Sequence, residues 1–190
     1  MTDPAPNPAT VTTLHGVFMA LYGLGVLLTG PSGVGKSELA LELLTRGHRL
    51  IADDATEFRR SEPDRVDGHC PPLLRGFLEA RSLGILNVGE MFGASALSEQ
   101  HRLDLVIRLE FRHDMLARAP QPLERLEGRR SVRNLLGVEL PEISIPIRLG
   151  HNLAVLVEAA CRDLKLRQAG YRADEDFAAR QLQAIQDSNA

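Results

Sequence analysis

Nowhere does the chain hold a run of about 18 apolar residues, the length a bilayer-spanning helix requires. Cysteine is equally scarce. Cys70 and Cys161 lie far apart and form neither a CxxC pair nor a Cys/His ligand spacing, and the adjacent His69 and Cys70 make poor geometry for a shared metal. Both are read as free thiols of a reducing cytosol, which predicts a cytoplasmic protein. Excess charge is missing too: a net charge of −3 gives no general attraction to nucleic acid or to an anionic membrane. Met1 to Thr10 carries three prolines, one aspartate and no Lys or Arg, so it lacks the basic and apolar regions of a signal peptide. Residues 1–12 are expected to be a disordered tail. Internal repeats and low-complexity segments are absent.

What remains is ordinary for a soluble globular chain, with 44% hydrophobic and 25% charged residues among 190. That length predicts one domain over residues 13–190, large enough for a substantial core. Its most informative stretch is Gly30-Pro31-Ser32-Gly33-Val34-Gly35-Lys36-Ser37, a G-x-x-x-x-G-K-[ST] phosphate-binding loop. Gly25 to Thr29 before it reads as a buried strand, and Glu38 to Arg46 after it reads as a helix with Leu39, Ala40, Leu43 and Leu44 on one face. In that setting the glycines let backbone N–H groups turn around phosphate oxygens, and the helix N-terminus adds a positive dipole. Lys36 is expected to reach the β/γ-phosphates and the Ser37 hydroxyl to ligate Mg²⁺.

Elsewhere the pattern alternates between short strands and helices. Leu14 to Tyr22 predicts a strand, Tyr22-Gly23-Leu24-Gly25 a tight turn, and Arg49 to Ala52 a strand ending in Asp53-Asp54. Gly47 fits a helix C-terminal cap. Polar residues 59–72 read as a loop or short hairpin, and Gly84 to Val88 as a strand. Leu103, Leu105, Ile107 and Leu109 alternate with Asp104, Val106 and Arg108, the mark of a half-buried strand. Residues 111–133, with six arginines and two prolines, are expected to form a mobile loop, and Ile143 to Arg148 an edge or bulged strand because of Pro146. The C-terminal part predicts two helices. One buries Leu153, Leu156, Val157, Ala160, Cys161 and Leu164 with Glu158 and Arg162 paired outside, Gly170 ends it, and Asp174-Glu175-Asp176 opens the other. The fold class is α/β, with a mixed sheet and a helical C-terminus.

Phosphoryl transfer also needs a carboxylate to orient or deprotonate the acceptor. Asp53 and Asp54 end a strand where such folds line their ligand crevice, and adjacent positions on a strand point to opposite sides, so at most one of the two faces the metal directly. Glu79, between Leu78 and Ala80, reads equally well as a metal ligand or as half of an ion pair. Glu110 rivals it at the end of Leu105 to Leu109, but Arg108 interrupts that run and favours a structural strand. His15 is a lone histidine, and Arg125 is one of a cluster that can compensate charge on a transferring phosphoryl group.

In order along the chain, His15-Gly16-Val17-Phe18, the loop with its strand, Arg46 to Asp54, Leu73-Leu74-Arg75, Leu78 to Val88, Arg102 to Val106, Glu124-Arg125-Leu126 and Asn152 to Glu158 resemble the catalytic domain of HPr kinase/phosphorylase. The resemblance covers about residues 14 to 185. It implies ATP- and Mg²⁺-dependent phosphorylation of a serine on an HPr-like phosphocarrier of the phosphotransferase system, and in reverse the attack of inorganic phosphate on phosphoserine to give pyrophosphate. It implies His15, Lys36, Asp54 and Arg125 as the catalytic set, with Asp54 the base, and Ser37 and Glu79 as Mg²⁺ ligands. It also implies a homohexamer. Longer members carry an additional N-terminal domain, so this chain is expected to be a naturally short relative or a truncated form. Arg81-Ser82 stands where the family signature has Arg-Gly. Pro146-Ile147-Arg148-Leu149-Gly150-His151 stands where the segment tied to dephosphorylation ends in arginine, so Arg148 is kept and His151 replaces a permanent charge. The alternatives are a small-molecule kinase with residues 112–133 as lid, and a nucleotide switch. The N/T-K-x-D and D-x-x-G motifs of a GTPase switch do not occur.

Overall fold

The computed structural model describes residues 11–111, 128–148 and 150–188. Its sheet is built around two strands without a single exposed residue, β2 (Val17–Leu21) and β3 (Leu24–Thr29). Strand side chains alternate between faces, so Val17, Met19, Leu21, Val26 and Leu28 enter one apolar cluster while Phe18, Ala20 and Leu27 enter another. Tyr22 (φ 51°) and Gly23 (φ 79°) make the two-residue turn between them.

The expected continuous strand from Leu14 to Tyr22 is two strands. β1 (Val11–Leu14) pairs antiparallel with β5 (Thr56–Glu62), and β2 pairs with β3 and β4 (Arg49–Ala52). The break falls at Gly16, whose φ of 154° suits glycine and where a Cβ would lie 2.4 Å from the Leu28 carbonyl oxygen. Residues 59–72 form most of a hairpin, β5 with β6 (Arg65–His69), followed by a 3-10 turn at Pro72–Leu74. β7 (Phe77–Ala80) and β8 (Gly84–Asn87) form a separate two-stranded sheet. Val88 is not its continuation: the Asn87 side chain accepts from the Glu90 N–H and caps a short helix, α2 (Val88–Phe92).

β9 (Gln100–Glu110) is the spine. It runs parallel to β3 on one side and meets β6 and then β11 (Val138–Pro146) on the other. The order β1-β5-β6-β9-β3-β2-β4, with β11 on β9 and β10 (Arg130–Leu135) outside it, mixes parallel and antiparallel pairs as expected. Leu105, Val106 and Ile107 are all buried, so β9 is covered on both faces and not half-buried there. Arg130 to Arg133, expected in a loop, belong to β10. β11 starts five residues earlier than predicted and lies between two neighbours instead of at an edge. Pro146 is tolerated because it is the terminal residue, beyond the end of β10.

Helix α1 (Lys36–Thr45) buries Leu39, Ala40, Leu43 and Leu44 against one face, and Gly47 (φ 87°) turns the chain away at its end. α3 (Leu153–Gln168) covers the same cluster with Ala154, Val157, Cys161 and Leu164, and α4 (Ala173–Ser188) follows with no buried residue. Glu158 and Arg162 are not an external pair. Glu158 is 8% exposed, beside His48, and Arg162 stacks over the Tyr22 ring. Among the described residues, no helix is long and apolar enough to cross a membrane.

Candidate active site

β3 ends at Thr29 and α1 begins at Lys36, so the six residues between them form the phosphate-binding loop at a helix N-terminus. Gly33 (φ 77°) and Gly35 (φ 94°) take left-handed backbone that L side chains resist. At Gly33 the demand is also one of space, since a Cβ would lie 2.6 Å from Arg81 Nη1. Buried Val34 anchors the loop from below, its N–H donating to the Pro31 carbonyl over 3.3 Å. Lys36 folds its ammonium over the loop and donates to the carbonyls of Gly30 (3.0 Å) and Pro31 (3.2 Å). Ser37 lies in the first turn of α1 beside it.

β4 delivers the carboxylates. The expectation that Asp53 and Asp54 face opposite sides does not hold, because the strand ends at Ala52 and Asp54 adopts φ 60°. Both line one cleft of about 300 Å³ together with Ser32, Gly33, Lys36, Ser37, Glu38, Glu79 and Arg81. Asp53 Oδ2 accepts the Glu79 N–H at 2.8 Å, tying β4 to the β7–β8 hairpin. Burial pushes the Asp53 carboxyl above the usual carboxylate range, against the backbone N–H groups of Glu79 and Asp54 that favour its ionised form. Asp54 stays open: its Oδ1 lies 3.4 Å from His15 Nδ1, with the two side chains 78% and 84% exposed. Arg81 reaches from the hairpin to donate to Ser32 Oγ at 3.1 Å, placing a permanent cation over the loop.

Folding therefore gathers His15, Lys36, Ser37, Asp53, Asp54, Glu79 and Arg81, although they span more than sixty residues of chain. It does not gather Arg148 and His151, which follow β11 and do not line the cleft. Arg125 lies outside the described residues. Glu110 pairs with Arg108 at 3.4 Å at the end of β9, a structural contact. Two features escaped the sequence reading. Glu38 lines the cleft because it occupies the first turn after the loop. Glu158 and His48 meet in the interior, a contact hinted at only by the spacing of Ala154, Glu158 and Cys161 on one helical face.

Among the described residues, no group of three His, Cys, Asp or Glu side chains is arranged to hold a metal by itself. The cleft instead offers isolated oxygen donors, Ser37, Asp53, Asp54 and Glu79, beside the loop. That set fits Mg²⁺, which binds through one or two carboxylates and completes its shell with substrate phosphates and water.

Comparison with known proteins gives a consistent result. A family model described as HPr Serine kinase C-terminal domain matches residues 7–181. The chain is 46% identical over 181 residues to the HPr kinase/phosphorylase of Bordetella petrii, covering 95% of this chain and 57% of that protein. It is 51% identical over 168 residues to the HPr kinase/phosphorylase of Xanthomonas campestris pv. campestris, covering 88% and 52%. The chain thus spans about half the length of the curated relatives it matches. Among solved structures, the Hpr(Ser) kinase/phosphatase from Coxiella burnetii superposes with a TM-score of 0.76 at 34% identity, over 87% of this chain and 98% of that one.

Proposed function

The chain belongs to the HPr serine kinase C-terminal domain family, and from that premise we propose that it transfers the γ-phosphoryl group of ATP to a serine of an HPr-like phosphocarrier protein. One observation carries the reading: an open carboxylate, Asp54, shares a cleft with the phosphate-binding loop and stands beside His15 at 3.4 Å. A base that must reach a hydroxyl on the surface of another protein has to be exposed, and Asp54 is.

Each group then has a task. The loop N–H groups and Lys36 hold the phosphates, and Lys36 exchanges its two carbonyl contacts for phosphate oxygens. Ser37 and Glu79 would hold Mg²⁺, which when bound would neutralise charge on the phosphates. Asp54 accepts the serine proton as the serine oxygen attacks phosphorus and the bond to the ADP oxygen breaks. His15 orients the Asp54 carboxylate. Asp53, fastened to the Glu79 backbone, fixes the spacing of β4 and the hairpin. Arg81 places positive charge over the loop, and Arg125 supplies more from its own segment. In reverse, a phosphate oxygen attacks the phosphoserine phosphorus, Asp54 returns its proton to the departing serine oxygen, and pyrophosphate leaves. Arg148 and His151 are the residues proposed to act in that direction. A homohexamer in the cytoplasm, where the buried free thiols Cys70 and Cys161 stay reduced, completes the proposal.

The test is intact-mass analysis of an HPr-type carrier incubated with the protein, Mg²⁺ and ATP. One phosphate added to a serine is the expected result, and excess inorganic phosphate then removes it with release of pyrophosphate. Measurable ATP binding with transfer to a metabolite and none to any such carrier would replace this reading with a small-molecule kinase.

A further inference from the structure

The end of the molecule opposite the cleft holds a buried charged cluster to which the mechanism assigns nothing. His48 and Glu158 are 7% and 8% exposed, with His48 Nε2 2.9 Å from Glu158 Oε1. Arg46 Nη1 donates to the other oxygen, Glu158 Oε2, at 3.4 Å. Tyr22 closes the cluster from the β2–β3 turn, its ring edge-on to His48 with centroids 4.9 Å apart. Arg162 of α3 lies 4.4 Å over the Tyr22 ring and donates to its hydroxyl, while Lys165 donates to its backbone carbonyl over 2.7 Å.

The chain topology gives this cluster its meaning. β2 runs from His15 down to Tyr22, and β3 climbs from Tyr22 back to the phosphate-binding loop. α1 descends from Lys36 to Arg46, and β4 climbs from His48 to Asp53 and Asp54. All four elements that present the cleft residues on this side therefore have their other ends in one knot, about 15 Å away along a ten-residue helix. Among the described residues, α3 supplies the remaining partners.

We propose that His48 and Glu158 are positioning residues for phosphoryl transfer: Glu158 joins His48 at the start of β4 to Arg46 at the end of α1, and so sets the register of α1 against β4 and the distance between the loop that holds the phosphates and the carboxylate that meets the acceptor. The inference rests on the kinase reading for its purpose. A buried carboxylate that loses one partner is left uncompensated, so the knot is closed or costly and does not slide continuously. Rigid α1 and the fully buried β2 and β3 carry its position to the cleft. Phosphate binding draws on the loop, on Lys36 and Ser37 of α1, and on Glu79 and Arg81 of the β7–β8 hairpin, whereas transfer also needs α1 and β4 in mutual register, where an error near 1 Å costs about a hundredfold. Disturbing the knot therefore separates binding from transfer.

The experiment compares wild type with Glu158→Gln and His48→Gln, well below their melting temperatures. The second variant removes the imidazole that meets both Tyr22 and Glu158 and leaves Glu158 with Arg46, so it serves if the first does not fold. Expected are a tenfold or larger fall in single-turnover transfer at saturating Mg-ATP, a change in Mg-ATP Kd below about threefold, and partial recovery of transfer in Glu158→Asp. Amide NMR signals of Gly33, Lys36, Ser37 and Asp54 should shift in both glutamine variants, though none touches the substituted side chain. Lower melting temperature with unchanged transfer per folded molecule and unshifted amides would reduce the knot to plain structural support and overturn the inference. If wild type itself transfers no phosphate to a carrier, the functional reading fails, and the amide signals still decide whether the knot positions the cleft.

Discussion

At the scale of single residues, the cleft separates groups that hold from groups that react. Among the described residues the Lys36 ammonium contacts its own loop, through two carbonyls, so Lys36→Ala removes the charge that tracks the phosphates and leaves the fold intact. Transfer should fall at least a hundredfold and Mg-ATP affinity with it, measured by titration calorimetry beside the mass assay. Asp54→Asn should behave differently, retaining ATP binding within a few-fold while transfer falls by about two orders of magnitude or more, the usual worth of a general base. A parallel loss of binding and turnover would make Asp54 a metal or structural residue instead. Away from the cleft, the Thr56 hydroxyl is fully buried and has no hydrogen-bond partner among the described residues. Thr56→Val keeps the shape and removes that unpaired group, so it should stabilise by about 1 kcal/mol. For a chain of this size that raises Tm by about 2–4 °C in calorimetry. A fall in Tm would show that the hydroxyl is satisfied in solution.

At the scale of elements, α3 joins the C-terminal half to the phosphate-binding unit, and its start is specified by one side chain. The Asn152 carboxamide oxygen accepts the Val155 N–H at 3.0 Å, satisfying a donor that the first helical turn leaves open. Asn152→Ala should therefore cost about 1 kcal/mol, read as a lower denaturation midpoint with an unchanged m-value. Elements of this kind were legible in the sequence because their signals are local. The loop between an apolar run and a helical stripe, the Tyr22-Gly23 turn, Gly47 and Gly170 each state their role within a few residues. β1 and β10 were not legible, because a polar strand is stabilised by the partner it pairs with, and β5 and β11 lie far along the chain or across a turn. The same limit governs the site. The spacing around Lys36 announces phosphate binding, whereas the meeting of His15 with Asp54 and of Asp53 with the Glu79 backbone depends on tertiary placement. Asp54 was expected to alternate with Asp53 because strand periodicity was extended past Ala52, where the backbone had already left the strand.

At the scale of the whole molecule, β9 divides two apolar clusters, and its polar residues are held at the margins. Two carboxylates, half-buried Asp104 on β9 and buried Glu158 on α3, act on stability with opposite signs. Burial raises the Asp104 carboxyl despite the N–H donated by Gly25 over 2.8 Å, so its contribution is present at low pH and is lost as pH rises through its folded value. Glu158 is held below its ordinary range, first by the hydrogen bond with His48 and further by the charge of Arg46. Its contribution is therefore fully present above the ordinary carboxylate value and is lost as pH falls from there through its lower folded value. Acid unfolding should accordingly draw on Glu158 and not on Asp104. The expected outcome is a wild-type Tm that drops steeply as pH falls below the ordinary glutamate value of about 4.3, since a carboxylate held below that range takes up its proton there. Glu158→Gln, which has no proton to gain there, should start from a lower Tm at pH 7 and lose less of it over the same fall in pH. Calorimetric scans at half-unit steps check this directly. Parallel curves for the two proteins would mean that the buried pair with His48 is not the group through which acid acts, and that exposed carboxylates such as those at the start of α4 carry the transition instead.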